Sequence, residues 1–226
     1  MKRKHFGGGK PAAVVFDLDG TLVDSAPDIQ HSLNAVLKQR DLPALELDSV
    51  KLMIGGGPEL LIRRALKELE TDAEPGEIAE LTVQFEYAYL EHGNVLTNLF
   101  PGALECFAKL QKGGIPIGLC SNKPEHICHQ LLADLEIQKY FGAIQGSGTG
   151  LPKKPHPDTL LALLNRLGAI PAQALYVGDS KTDVETARAG DIPVALVKHG
   201  YTDEPAANLG SDWVVNGLAE IPAIWQ

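Results

Sequence analysis

Residues Ala12 to Ser25 read "AAVVFDLDGTLVDS". The run Ala12–Phe16 is continuously apolar, as expected of a strand covered on both faces of a parallel sheet. Two aspartates, Asp17 and Asp19, follow at once, then Gly20 and Thr21. Asp-Gly is a common turn pair, which accounts for Asp19 and Gly20. It does not account for Asp17, a carboxylate set on the end of a strand built for burial. Two carboxylates this close repel unless a cation or a proton separates their roles.

Runs of the same apolar type recur downstream. They are "IPIGLC" (Ile115–Cys120), "ALYV" (Ala174–Val177) and "VALV" (Val194–Val197), with a weaker "AIQ" (Ala143–Gln145) and a candidate edge strand "WVV" (Trp213–Val215). Amphipathic stretches over Ala103–Lys112, Glu125–Leu135, Pro157–Leu167 and Thr182–Ala189 predict helices between them. The alternation predicts an α/β fold: a doubly wound, mostly parallel, Rossmann-like sheet with its ligand at the carboxyl ends of the strands. Residues 24–100 break that rhythm. "PDIQHSLNAVLKQR", "PELLIRRALKELE" and "PGEIAELTVQFEYAYLEH" read as helices, with no convincing strand among them. The chain thus divides into an α/β core, residues 1–23 and 101–226, and an inserted all-helical cap, residues 24–100. "FPG" (Phe100–Gly102) marks the return. The basic start "MKRKHFGGGK" reads as a mobile leader.

A chain of 226 residues allows one large domain, or one carrying an insertion. A net charge of −9 argues against nucleic acid or an anionic membrane as partner. It leaves room for a small anionic substrate in a locally positive pocket. Three cysteines without a CxxC pair point away from a disulfide framework and toward a reducing cytoplasm. No apolar run approaches the ~20 residues of a membrane span. Whether the protein is a monomer or a homodimer is left open.

Three further strand ends offer chemistry. "GLCSNK" puts Ser121 and Asn122 directly after a strand. "LPKKPHPD" supplies Lys154 in a proline-fixed loop, and "LYVGDSKTDVETA" puts Asp179 after another strand with Asp183 beyond it. Each has a plain reading: a helix cap for Ser121, a solvated charge for Lys154, a first-turn acid for Asp183. Their coincidence at the strand ends of one sheet makes a single site the simpler account. Rival motifs are weaker. "GSGTG" (Gly146–Gly150) lacks the helix a nucleotide loop needs, Cys120 lacks an arginine cradle, and "EHICH" (Glu125–His129) reads as ordinary helix rather than a zinc site. In the cap, "IGGGPELLIRRAL" (Ile54–Leu66) is either a helix–helix turn or a ligand loop around Gly56. Arg64 is either a solvated helix residue or an anchor for a substrate carboxylate.

"DLDGT", "CSN", Lys154 and "GDSKTD", in that order, resemble the four motifs of the haloacid dehalogenase superfamily of phosphotransferases. The resemblance covers nearly the whole chain from Ala12, and the helical insertion is similar to the superfamily's small-cap class. It implies Asp17 as nucleophile, forming an aspartyl phosphate, and Asp19 as acid and then base. It implies magnesium on Asp17, the Asp19 main-chain carbonyl and Asp179. Lys154 and Ser121 would bind phosphate, with Asn122 beside them, and Asp183 would orient the metal waters or Lys154. Thr21 would hold the loop or Asp19. Ile54–Leu66, "NLFPGALECFAKLQ" and the motif flanks look like the bacterial phosphoglycolate phosphatase branch. That implies a small phosphorylated metabolite as partner, 2-phosphoglycolate first, with another sugar or amino-sugar phosphate as the alternative. A phosphomutase shares the same parts. A phospho-accepting signalling domain would be about half this length, and Asp19 argues against it.

Overall fold

The computed structural model describes Phe6 and residues 9–225. In chain order the elements are β1 (Ala13–Phe16), β2 (Val23–Asp24), α1 (Ala26–Lys38), α2 (Leu47–Met53), α3 (Pro58–Glu68), α4 (Pro75–His92), β3 (Asn98–Leu99) and α5 (Ala103–Lys112). Then come β4 (Ile117–Pro124), α6 (Glu125–Asp134), β5 (Ala143–Ser147), α7 (Asp158–Arg166), β6 (Ala174–Gly178), α8 (Lys181–Ala189), β7 (Val194–Val197) and β8 (Trp213–Val215). A six-stranded sheet runs β5-β4-β1-β6-β7-β8 with every neighbouring pair parallel.

β1 lies inside the sheet and is buried along its whole length, which is why its sequence does not alternate. Its side chains still point alternately to two faces. Val14 and Phe16 join one core cluster with α5 and α6, while Ala13 and Val15 join another with α7 and α8. Parallel strands need crossovers, and these helices supply them on both faces.

A third apolar cluster gathers Leu33 and Val36 of α1, Met53 of α2, Leu61 and Ile62 of α3 and Phe85 and Tyr89 of α4, together with Ile127 of α6. The insertion therefore has its own apolar interior and meets the sheet layer through α6.

Three expectations change in detail. β2 and β3 pair antiparallel, Val23 with Leu99 and Asp24 with Asn98, at the two ends of the insertion. Strands of two residues are too short to show alternation in sequence. Beside this ribbon the buried Asp28 carboxylate accepts hydrogen bonds from Leu96 N–H (3.0 Å), Thr97 N–H (2.7 Å) and the Thr97 hydroxyl (2.6 Å). β4 extends past Cys120 to Pro124, with an irregular register after Cys120, so Ser121 and Asn122 lie within the strand rather than after it. Phe6, read as part of a mobile leader, is buried and stacks on Trp213 at 6.0 Å; Met1–His5, Gly7 and Gly8 lie outside the described residues. No helix among the described residues is long and apolar enough to cross a membrane.

Candidate active site

β1, β4 and β6 are neighbours, and Phe16 pairs with both Leu119 and Val177. Their carboxyl ends therefore converge. Asp17 stands one step beyond β1 with its N–H donated to Val177 O at 2.9 Å. Asp179 stands one step beyond β6. Lys154 brings its ammonium to 2.8 Å from Asp17 Oδ1 and 2.8 Å from Asp183 Oδ1, and donates to Tyr176 Oη at 2.9 Å. Asn122 fixes the Lys154 loop: its Oδ1 accepts Lys154 N–H at 2.9 Å and its Nδ2 donates to Lys154 O at 3.0 Å.

Asp183 has two tasks. Its Oδ2 accepts from Ser180 N–H (3.1 Å), Ser180 Oγ (2.7 Å) and Asp179 N–H (3.2 Å), a capping box that starts α8. Its Oδ1 faces Lys154. The first-turn position and the contact with Lys154 coexist in this one residue. Thr21 donates to Asp179 Oδ1 at 2.8 Å rather than to Asp19, so of its two expected partners it is the loop that it fastens. The loop after Asp19 folds back across the sheet edge, so the hydroxyl reaches the next strand end. Gly20 makes that possible: its φ is +83°, and a Cβ there would lie 2.6 Å from Asp179 Oδ2.

The electrostatics call for a cation. Asp17, Asp179 and Asp183 offer oxygens within 4.8 Å of one another, all from buried residues. Burial pushes the Asp17 carboxyl up to about 7; Lys154 pulls against this and Asp183 adds to it. Burial, then Asp183 and Asp17, raise Asp179 well above the usual carboxylate range. Burial alone would raise Asp183 too, but Lys154 and Ser180 hold it below that range. Asp17 Oδ1 has Lys154 Nζ, at 2.8 Å, as its charge partner. A compact set of hard oxygen donors whose mutual repulsion Lys154 offsets only in part suits a small divalent cation.

A pocket opens beside this cluster between the sheet edge and the insertion. Asp17, Asp19, Ser121, Asn122 and Lys123 line its floor, and Ile29, Ile54, Leu61, Phe85, Tyr89 and Ile127 line its walls. Asp19 accepts a hydrogen bond from Ser25 Oγ at 2.5 Å and pairs with Lys123 Nζ at 3.0 Å. Ser121 Oγ accepts Lys123 N–H at 3.2 Å and borders the pocket.

The structure corrects two expectations about the cap. Arg64 does not enter the pocket; its guanidinium donates to Met53 O at 2.9 Å and Ile54 O at 3.4 Å. These carbonyls at the end of α2 have no partner within the helix, and a nearby cation satisfies them. Gly56 does not line the pocket either. Its neighbours Gly55 and Gly57 do, and a Cβ on Gly56 would fall 2.2 Å from Leu60 Cδ2. Gly55 reaches the floor instead, its carbonyl accepting Asn122 Nδ2 at 3.0 Å. Gly57, at φ +85°, leaves only 3.0 Å between an added Cβ and Asn122 O.

The rival motifs recede. Cys120 is fully buried, and burial pushes its thiol up to about 12. His126 and His129 are exposed on α6.

Two residues escaped the sequence reading. Lys123 follows "CSN" directly, so its place was visible but its partner was not. Tyr201 was assigned no role, yet its N–H donates to Asp179 Oδ2 at 2.8 Å. Its hydroxyl donates to Asp24 Oδ1 at 2.6 Å and accepts Ala26 N–H at 3.0 Å, tying the carboxylate cluster to the start of α1.

Comparison with known proteins agrees with this fold. The profile of the haloacid dehalogenase-like hydrolases matches residues 14–197. The chain is 39% identical over 215 residues to a phosphoglycolate phosphatase of Rhodospirillum rubrum, covering 93% of this chain and 89% of the relative. It is 37% identical over 213 residues to the phosphoglycolate phosphatase of Yersinia pestis, covering 93% and 92%. A crystal structure from Haemophilus somnus 129pt, named a predicted phosphoglycolate phosphatase, superposes with a TM-score of 0.88 at 31% identity, covering 95% of this chain and 98% of that one. With its sheet edge, its carboxylate cluster and this breadth of likeness, the chain belongs to the haloacid dehalogenase-like hydrolases.

Proposed function

We propose that this protein is a magnesium-dependent phosphomonoester hydrolase of the cytoplasm that converts 2-phosphoglycolate to glycolate and phosphate. The observation that carries the reading is Asp17, set beyond a buried strand in a pocket it shares with Asp19 and backed by Lys154 at 2.8 Å. The names of the relatives support the substrate. The proposed division is a core of residues 1–23 and 101–226 that performs the transfer, and a cap of residues 24–100 that encloses the leaving group.

A magnesium ion held by the Asp17 and Asp179 carboxylates and the Asp19 main-chain carbonyl would supply the positive charge a dianionic phosphate requires before a carboxylate can approach it. Asp17 attacks phosphorus and becomes an aspartyl phosphate. Lys154 neutralises a phosphate oxygen, and Ser121 donates its hydroxyl hydrogen to another. Asp19 gives a proton to the departing alcohol oxygen, then takes one from the water that hydrolyses the acyl phosphate. Asp183, Thr21, Asn122 and Tyr201 act through other groups: Asp183 and Asn122 hold Lys154, and Thr21 and Tyr201 hold Asp179. The apolar walls exclude water while the phosphoryl group moves.

The test is phosphate release from a panel of small phosphate esters with magnesium and with chelator. Metal-dependent release, greatest for 2-phosphoglycolate, is expected, with a phosphorylated protein trapped by rapid acid quench of wild type and absent from Asp17→Asn. Full activity after exhaustive metal removal, or an undiminished Asp17→Asn enzyme, would refute the reading.

A further inference from the structure

Arg64 is committed to the α2 carbonyls, and no cap residue among the described residues lining the pocket is a lysine or arginine. Among the described residues lining it, Lys123 is the one cation. It is almost fully buried, 7% exposed in its side chain, with Nζ 3.0 Å from Asp19 Oδ1 and 3.4 Å from Oδ2. From the cap side the Tyr89 ring lies beneath the ammonium, 4.4 Å from centroid to Nζ. An ammonium carries three donors. Asp19 engages one side and the ring face another, which leaves donor capacity at the pocket border.

The chemistry of the leaving group places its second anion close to this point. In 2-phosphoglycolate a single methylene separates the bridging oxygen from the carboxylate. Asp19 must lie beside that oxygen to protonate it, so the cation paired with Asp19 is adjacent to the carboxylate. Beyond the floor, where Ser121 and Asn122 also lie, the walls are apolar and would leave a buried carboxylate without a partner.

We infer that Lys123 is a specificity-determining residue whose ammonium takes the carboxylate of the leaving group, with Tyr89 holding it in place from the cap. This inference rests on the reading of the pocket as a site of phosphate-ester hydrolysis. It assigns recognition of the acid to a core residue and leaves the cap to supply the ring and the apolar walls.

The experiment compares 2-phosphoglycolate with 2-hydroxyethyl phosphate, which replaces the carboxylate by a neutral hydroxymethyl group. Wild type, Lys123→Met and Lys123→Arg are measured for kcat/KM with magnesium. Calorimetric binding of both esters is measured in an Asp17→Asn background, with and without Lys123→Met. Lys123→Met is expected to lose about 10- to 100-fold more on the acid than on the neutral ester, as for one charged hydrogen bond, and Lys123→Arg to recover part of it. The binding preference for the acid should disappear with Lys123→Met. Equal losses on both esters would overturn the inference, because Lys123 would then act through Asp19 alone. So would a wild type that prefers neither ester in either measurement. If neither ester is hydrolysed yet the acid binds preferentially through Lys123, the hydrolase reading falls and the recognition stands.

Discussion

Asp17→Asn should abolish turnover and, in the absence of metal, make the fold more stable. The amide cannot attack phosphorus, but it resembles the protonated carboxyl that the metal-free site prefers. Burial raises Asp17 from its ordinary value of 3.8 to about 7. A group raised in this way keeps its proton in the folded state through the window between those values, while the unfolded chain releases it. Stability of the wild type therefore falls as pH rises from about 4 to 7 and stays low above. At about 1.4 kcal/mol per pH unit, the ceiling on this loss is about 4 kcal/mol, and Asp179 shares part of the same strain. Urea unfolding of both proteins in chelator should show Asp17→Asn more stable by about 1–4 kcal/mol at pH 7.5, with the gap closing toward pH 4. Magnesium should narrow the gap by stabilising the wild type more. A variant less stable than wild type at pH 7.5 in chelator, or a gap indifferent to pH, would show that the carboxylate cluster is not repulsive as argued.

Three other outcomes are expected. Asp19→Asn should slow turnover by about 10²–10⁴-fold, as for loss of a general acid–base, with esters of good leaving groups less affected in phosphoryl transfer; equal losses across leaving groups, in single-turnover quench measurements, would remove the acid role. Asp28→Ala should destabilise the fold by about 3–5 kcal/mol in urea unfolding, because the Leu96 and Thr97 donors lose a buried charged acceptor; a loss below about 1 kcal/mol would mean the segment re-pairs with water. Gly20→Ala should weaken magnesium binding, read by calorimetry, since an added Cβ meets Asp179 Oδ2 at 2.6 Å and the φ of +83° is strained for alanine; an unchanged affinity would remove Gly20 from the metal site.

The line of carboxylates was legible in the sequence because parallel strands all end at one edge. An apolar run followed by Asp17, and another followed by Gly178 and Asp179, must bring the two acids together once the strands pair, whatever the loops do. The long gap without apolar runs likewise marked the helical insertion, although the two-residue strands flanking it left no pattern to read. Side-chain direction was decided elsewhere. Thr21 finds Asp179 across a separation of 158 residues and Tyr201 finds Asp24 across 177, pairings set by how two loops curl over the sheet edge. Arg64 turned to the carbonyls ending α2, because helix packing brought unsatisfied acceptors within its reach before any ligand. Lys123 met the opposite circumstance: continuation of β4 carried it into the interior, where Asp19 and the face of Tyr89 receive its charge. Strand ends follow from local pattern and one topological rule, whereas the partner of a long charged side chain depends on which distant groups the packed fold leaves unpaired around it.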